Sequence, residues 1–168
     1  LRLVGSEMCI RDSPIDAGEL RRRLTAMPVT QYDTEDAAVE LPSSCQYLLV
    51  YDGDCSFCEW TLAVIQRILP ALPKAVDGRS YDLMSLGLDE DDVDYSSWLL
   101  VIDGDTVTHY AGWDGFAELL RRQRSDFWRF LGNALMLPGI RVIGNRGYDV
   151  VAKNRYRLPH GTAACKHA

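Results

Sequence analysis

The sequence lacks any apolar run approaching the ~18 residues of a membrane span. Nothing in it resembles a secretory leader either, because Arg21-Arg22-Arg23 is followed by no apolar stretch. Neither an internal repeat nor a low-complexity segment is present. Basic residues are scarce through the middle: residues 27–113 hold 3 Lys/Arg against 16 Asp/Glu, a net of −13. That acidity excludes a general nucleic-acid surface. Histidine is sparse too, with three in the chain, and only one C-x-x-C occurs, which leaves a structural zinc site short of an obvious second half.

What remains is ordinary globular material. The 168 residues are 47% apolar and 25% charged, which fits one domain that can bury a core without disulfide staples. Residues 114–168 carry 10 Lys/Arg against 4 Asp/Glu, a net of +6, while the whole chain is at −6. The basic end is expected to dock on the acidic body of its own chain rather than on an acidic partner or anionic lipid.

The start is unusual. Residues 3–13 match the in-frame translation of a sequencing-library adapter that ends in a transposase recognition end. Residues 1–13 are therefore set aside, and Cys9 with them. Met27 is a candidate initiator, because residues 16–26 show no apolar pattern in need of a partner. Residues 14–45 read as a poorly ordered N-terminal extension. Residues 46–168 read as a single domain with a helical segment from residue 126 onward. With no leader pattern, the expected compartment is the cytoplasm.

Residues 46–51, Gln-Tyr-Leu-Leu-Val-Tyr, have the length and composition of a buried strand. Asp52-Gly53-Asp54 turns the chain. Residues 56–69 are helical in pattern, with Trp60, Ala63, Val64, Ile65, Ile68 and Leu69 on one wide face, and Pro70 and Pro73 end them. A second strand is expected within 75–86, then a solvated acidic loop at 89–94. Strands at 98–102 and 106–110 flank a tight turn at Asp103-Gly104-Asp105. Helices follow at 113–122, 126–137 and 142–157. The aromatic, Arg-rich helix at 126–137 is expected to cover the sheet rather than lie on a membrane surface. His109 is expected to be structural. The order is β-α-β, then a hairpin and a helix. That is the plan of the thioredoxin fold: an α/β core with a mixed sheet of about four strands, helices on both faces and added C-terminal helices.

Four cysteines carry weight: Cys45, Cys55, Cys58 and Cys165. Cys55-Ser56-Phe57-Cys58 sits at a strand-to-helix junction, where C-x-x-C reads as a redox dithiol. Two intervening residues in a first helical turn bring the sulfurs within disulfide reach. Cys55, at the helix N-terminus, is expected to be the more exposed, attacking thiol, because unpaired N–H groups there stabilise a thiolate. Cys58 is then the resolving thiol. Asp52, Asp54 and Glu59 oppose the thiolate. The helix end contributes ~0.3–1 kcal/mol and up to ~2 when partly buried, against ~1.4 kcal/mol per pKa unit. No extreme depression of Cys55 is expected, so the chemistry is reduction or exchange rather than strong oxidation. Cys165 is either a third exchanging thiol or a packed tail cysteine, and Cys45 is incidental.

Two other chemistries fit parts of the pattern. Cys55 and Cys58 could hold zinc with Cys45, Cys165, His160 or His167. The strand ending in Asp52-Gly53-Asp54 also resembles the first motif of haloacid-dehalogenase-type, Mg-dependent phosphatases, with Asp52 as nucleophile and Asp54 as acid/base. Lys74 and the Asp103/Asp105 pair are the only candidates for that site's remaining parts.

The stretch Tyr51-Asp-Gly-Asp-Cys-Ser-Phe-Cys58 resembles the DCC family of thiol–disulfide oxidoreductases, named for its Asp-Cys-x-x-Cys core. Val151-Ala-Lys-Asn-Arg-Tyr-Arg157, followed by Gly161 and Cys165, is similar to that family's closing helix and terminal cysteine. The resemblance implies a thioredoxin-like fold and protein-disulfide reductase activity with no cofactor. Its partners would be a disulfide-containing protein or small thiol substrate and an external dithiol reductant. The chain departs from thioredoxins themselves, which have Gly-Pro between the cysteines and a proline before the third core strand. Here the corresponding residues are Ser56-Phe57 and Ser96-Ser97-Trp98.

Overall fold

The computed structural model describes residues 10–13, 16–26, 45–69, 71–103 and 105–158. In chain order the elements are β1 (Ile10–Ser13), α1 (Ala17–Ala26), β2 (Cys45–Tyr51), α2 (Ser56–Ile68), β3 (Lys74–Asp77), α3 (Glu90–Tyr95), β4 (Trp98–Asp103), β5 (Thr106–Ala111), α4 (Gly112–Arg121), α5 (Asp126–Leu135) and α6 (Pro138–Asn154), with 3-10 turns at Leu83–Leu86 and Arg155–Arg157. The strands form one sheet in the order β1-β5-β4-β2-β3. β2 and β3 are parallel, as a βαβ unit requires, and the remaining pairs are antiparallel. Strands β2 to β5 are the expected four of a thioredoxin-like core.

Alternation along the strands divides the interior in two. Leu48, Val50, Leu100, Ile102 and Val107 point to one face, with Ala17, Leu20, Leu86, Leu88 and Val93 packed on them. Leu99 and Val101 point to the other, against Leu119 and Leu120 of α4 and the half-buried Ile65, Trp128, Leu131 and Leu135. Helix α2 sits over Tyr51 and Ala75 through Leu62. Helix α5 thus covers this side through Trp128 and Leu131, while its Phe127 and Phe130 stay exposed. His109 is buried in β5, edge-on to Trp98, with Nε2 2.6 Å from the Leu86 carbonyl.

Three expectations need correction. Residues 17–26 of the supposedly poorly ordered extension form a helix whose Ala17 and Leu20 enter the core. Ala17, Leu20 and Leu24 recur at helical spacing, but the stripe is short and set beside three consecutive arginines. The sheet also gains a fifth strand, Ile10–Ser13, along the open edge of β5. Such an edge presents unpaired N–H and C=O groups that any extended backbone can satisfy, whatever its side chains. Third, residues 89–94 are not a loop. Asp89 and Asp92 form a reciprocal capping box at the start of α3, and Val93 is buried.

The C-terminal helices are anchored by specific contacts. Arg141 grips the buried Asp114 with Nε and Nη2 at 2.8 and 2.7 Å, holding α6 on α4. Gly144 of α6 lies against the Trp113 ring, where a Cβ would stand 2.0 Å from the nearest ring atom. The ring is fixed by its Nε1–H donating to the Leu135 carbonyl at 3.2 Å. Alanine at 144 would gain about 1 kcal/mol of helix propensity, but overpacking of this kind costs about 1–3 kcal/mol. G144A is therefore expected to lower the urea midpoint with an unchanged slope. A raised midpoint would mean that Trp113 yields freely.

Candidate active site

The site lies where β2 and β3 end side by side. Parallel pairing runs from Leu48↔Lys74 to Tyr51↔Asp77, so the loops leaving both strands meet at one edge. Gly53 donates its N–H to Asp77 Oδ1 at 3.1 Å. A Cβ at Gly53 would stand 2.2 Å from that carboxylate, so only glycine lets the two loops approach. Asp77 also accepts from the Arg79 N–H at 2.8 Å and the Ser80 hydroxyl at 2.7 Å.

Asp52 organises the turn into α2. It is 1% exposed. Its Oδ1 accepts the Asp54 N–H at 3.1 Å, and its carbonyl accepts the Cys55 N–H at 3.2 Å. Two guanidinium groups meet its carboxylate: Arg79 through Nε at 3.3 Å and Arg155 through Nη2 at 2.8 Å. Arg79 also pairs with the Asp94 carboxylate and stands 3.7 Å from Asp54. Arg155 donates to the Asp94 carbonyl at 2.9 Å.

Cys55 is the N-cap of α2, with extended backbone, and its carbonyl accepts the Glu59 N–H at 3.1 Å. The first helical turn sets Cys58 beside Cys55, the N-cap, and hydrogen bonding from Cys58 holds the Cys55 thiol well below its ordinary value. The Cys58 S–H lowers the Cys55 thiol the most. Burial opposes it, the Cys58 N–H and Arg155 assist, and Asp52 opposes, leaving Cys55 at about 6. Cys58 moves the other way, raised first by its hydrogen bond to Cys55 and then by burial and the Cys55 charge. The depression is moderate, as the contest of helix end and carboxylates predicts, but the leading cause is the second cysteine.

The structure reverses the expected exposure of the pair. Cys55 is buried and Cys58 is half-buried. An N-cap is the outer end of its own helix, but here the segments carrying Asp52 and Arg155 close around it. Asp54 is exposed and faces Arg79. Cys45 opens β2, opposite Asp103, at the far end of the sheet from Cys55. Cys165, His160 and His167 lie outside the described residues, and among the described residues no group of three or more His, Cys, Asp or Glu could hold a metal.

The phosphatase arrangement does not survive this geometry. Asp103 ends β4 beside Cys45, so antiparallel pairing carries it, with Asp105 in the following turn, away from Asp52. Lys74 begins β3 instead of joining the Asp77 end. Asp52 itself is occupied by two guanidiniums. Arg79 is the residue that sequence reasoning missed. Its signal was its position just past the end of the strand parallel to β2.

A thioredoxin-like sheet with a C-x-x-C at its first strand-to-helix junction defines a thiol–disulfide oxidoreductase class of protein. The chain belongs to the DCC1-like thiol-disulfide oxidoreductase family, which it matches over residues 49–160. No curated protein and no solved structure is matched. Among the described residues, no helix is long and apolar enough to cross a membrane.

Because the Cys58 S–H is the leading influence on Cys55, C58A is expected to move the alkylation midpoint of Cys55 from about 6 upward toward the ordinary thiol range. C58S retains a hydroxyl donor and should move it less. A midpoint unchanged in C58A would contradict the hydrogen bond. The sign for stability follows: a thiol lowered on folding makes the reduced protein more stable as pH rises from the folded value toward the unfolded one. That gain should vanish in C55S.

Proposed function

We propose that the chain reduces or exchanges disulfides of a protein or small-thiol substrate through the Cys55–Cys58 dithiol. The observation that carries this is the placement of the pair: Cys55 caps α2 after the β2 turn and Cys58 lies in the helix's first turn, both as free thiols, with Cys55 held below its ordinary value by Cys58. The Cys55 thiolate attacks one sulfur of the substrate disulfide. A Cys55–substrate mixed disulfide forms, and the other substrate sulfur departs as a thiolate. Once Cys55 is bonded, the charge and hydrogen bond that raised Cys58 are gone. Cys58 then loses its proton to the departing thiolate or to solvent and attacks the Cys55 sulfur. The second substrate thiol leaves, and the Cys55–Cys58 disulfide holds the two-electron oxidation. An external dithiol restores it.

Thiolate character, rather than static exposure, assigns the attack to Cys55. Because that sulfur is buried, the turn before α2 must open to admit substrate, a local event of the kind that functional loops undergo. Asp52 supports the turn and Asp54 lies at its rim. No cofactor enters the scheme. Cys165 remains a candidate for a third exchanging thiol, and the cytoplasm is the proposed compartment, where a dithiol reductant operates. The catalytic domain is proposed to comprise residues 46–168 with helix α1 packed on its core, and residues 1–13, of which Ile10–Ser13 pair with the β5 edge, are proposed to be foreign in origin.

Peptide access differs from that of a groove with free backbone. The Ser97 N–H donates to the Tyr148 hydroxyl at 3.2 Å, and the Ser97 carbonyl accepts the Gly112 N–H at 3.0 Å. A substrate strand that paired here would have to displace Tyr148.

The test is a trap. C58S incubated with a disulfide substrate should accumulate a mixed disulfide at Cys55, located by mass spectrometry, and C55S should form none. Equilibration of the parent protein in graded glutathione buffers should oxidise Cys55 and Cys58 together, between ~−180 and −320 mV. Protection of both thiols until a chelator is added would replace this chemistry with a zinc site.

A further inference from the structure

The arginine whose charge acts on both thiols comes from the far end of the fold. Arg155 opens the 3-10 turn after α6, 103 residues from Asp52. It is 4% exposed, and one nitrogen, Nη2, bonds both the Asp52 carboxylate and the Asp94 carbonyl. Its turn packs on α2, the helix that holds both cysteines. A buried guanidinium is costly unless paired and hydrogen-bonded, and an apolar side chain would close such a seam at less cost. Arg79, the second cation on Asp52, is partly solvated and shared with Asp54 and Asp94, so its field at the sulfurs is more strongly screened.

We propose that Arg155 is a positioning residue that sets the acidity and redox poise of the Cys55–Cys58 pair from the C-terminal turn. It does so by orienting Asp52 and placing a desolvated positive charge beside the sulfurs. This deepens the oxidoreductase function and rests on Cys55 being the attacking thiol. The groups that act on Cys55 are Cys58, Asp52 and Arg155, while Arg79 acts through Asp52. Arg155 favours the thiolate and Asp52 disfavours it. Loss of the guanidinium therefore removes an attraction and leaves the Asp52 carboxylate with Arg79 alone. Both changes push the Cys55 thiol up. A thiolate stabilised by a cation also stabilises the reduced dithiol, so loss of Arg155 makes the disulfide harder to reduce.

The experiment uses the full chain, reduced, as parent, R155M and R155K. Alkylation of Cys55 by iodoacetamide is followed against pH by mass spectrometry, and the Cys55–Cys58 couple is equilibrated in glutathione buffers. In R155M the alkylation rate at about pH 5 should fall about tenfold, which is one unit of midpoint. The disulfide should persist at a higher ratio of reduced to oxidised glutathione. R155K keeps a cation and should recover most of both effects. A profile for R155M that overlays the parent overturns the proposal, as does R155K being impaired as fully as R155M. If R155M does not fold, D52N/R155M leaves no carboxylate stranded. Its midpoint is expected above that of D52N alone, and equal midpoints overturn the proposal. Disulfide turnover is measured separately. An inactive parent whose thiol profile still shifts in R155M counts against the oxidoreductase function and supports the role of Arg155.

Discussion

The carboxylate of Asp52 is the point on which the site depends. It is buried, it directly follows strand β2, and it takes hydrogen bonds from three directions: the backbone of its own turn, Arg79 past β3, and Arg155 past α6. Removing one partner of such a buried pair typically costs about 3–5 kcal/mol, because a charge is stranded. The direction of Cys55, the start of α2 and the seating of the last turn are therefore linked through one side chain. The Asp52–Arg155 contact joins residues 103 positions apart, so the start of the chain's redox helix and its last described turn share one anchor.

The same linkage explains how two adjacent thiols become chemically unlike. The helix N-terminus and Arg155 act on both sulfurs, so neither distinguishes them strongly. The asymmetry follows the hydrogen bond between them, which lowers Cys55 at the cap and raises Cys58 in the first turn of α2.

Much of this was legible from residue order. The β-α-β-hairpin plan, the strand boundaries near 45–51, 98–103 and 106–111, and the C-x-x-C at a junction all follow from apolar runs and turn residues that act locally. Helix α6 begins at Pro138, four residues before the start that the apolar pattern predicts, because proline in a first turn lacks no needed donor. The less legible features are long-range. Helix α1 has only a short apolar stripe beside its arginines, and its Leu20 gains meaning from the buried cluster it shares with Leu48 and Leu86. Arg79 looks like any loop arginine until parallel pairing places it beside Asp52. The order of exposure of Cys55 and Cys58 depends on segments that come from the other end of the chain, and no local pattern could supply it.

Burial of Cys55 also bears on how the protein withstands oxidants. A thiolate this acid on an open surface would meet peroxide readily and climb from sulfenic to sulfinic acid, a step most cells cannot reverse. With Cys55 buried and Cys58 in the first turn of the helix it caps, any sulfenic acid formed at Cys55 has a neighbouring thiol at hand before a second oxidant molecule arrives. It then ends as a disulfide, the one oxidised state from which the pair can return.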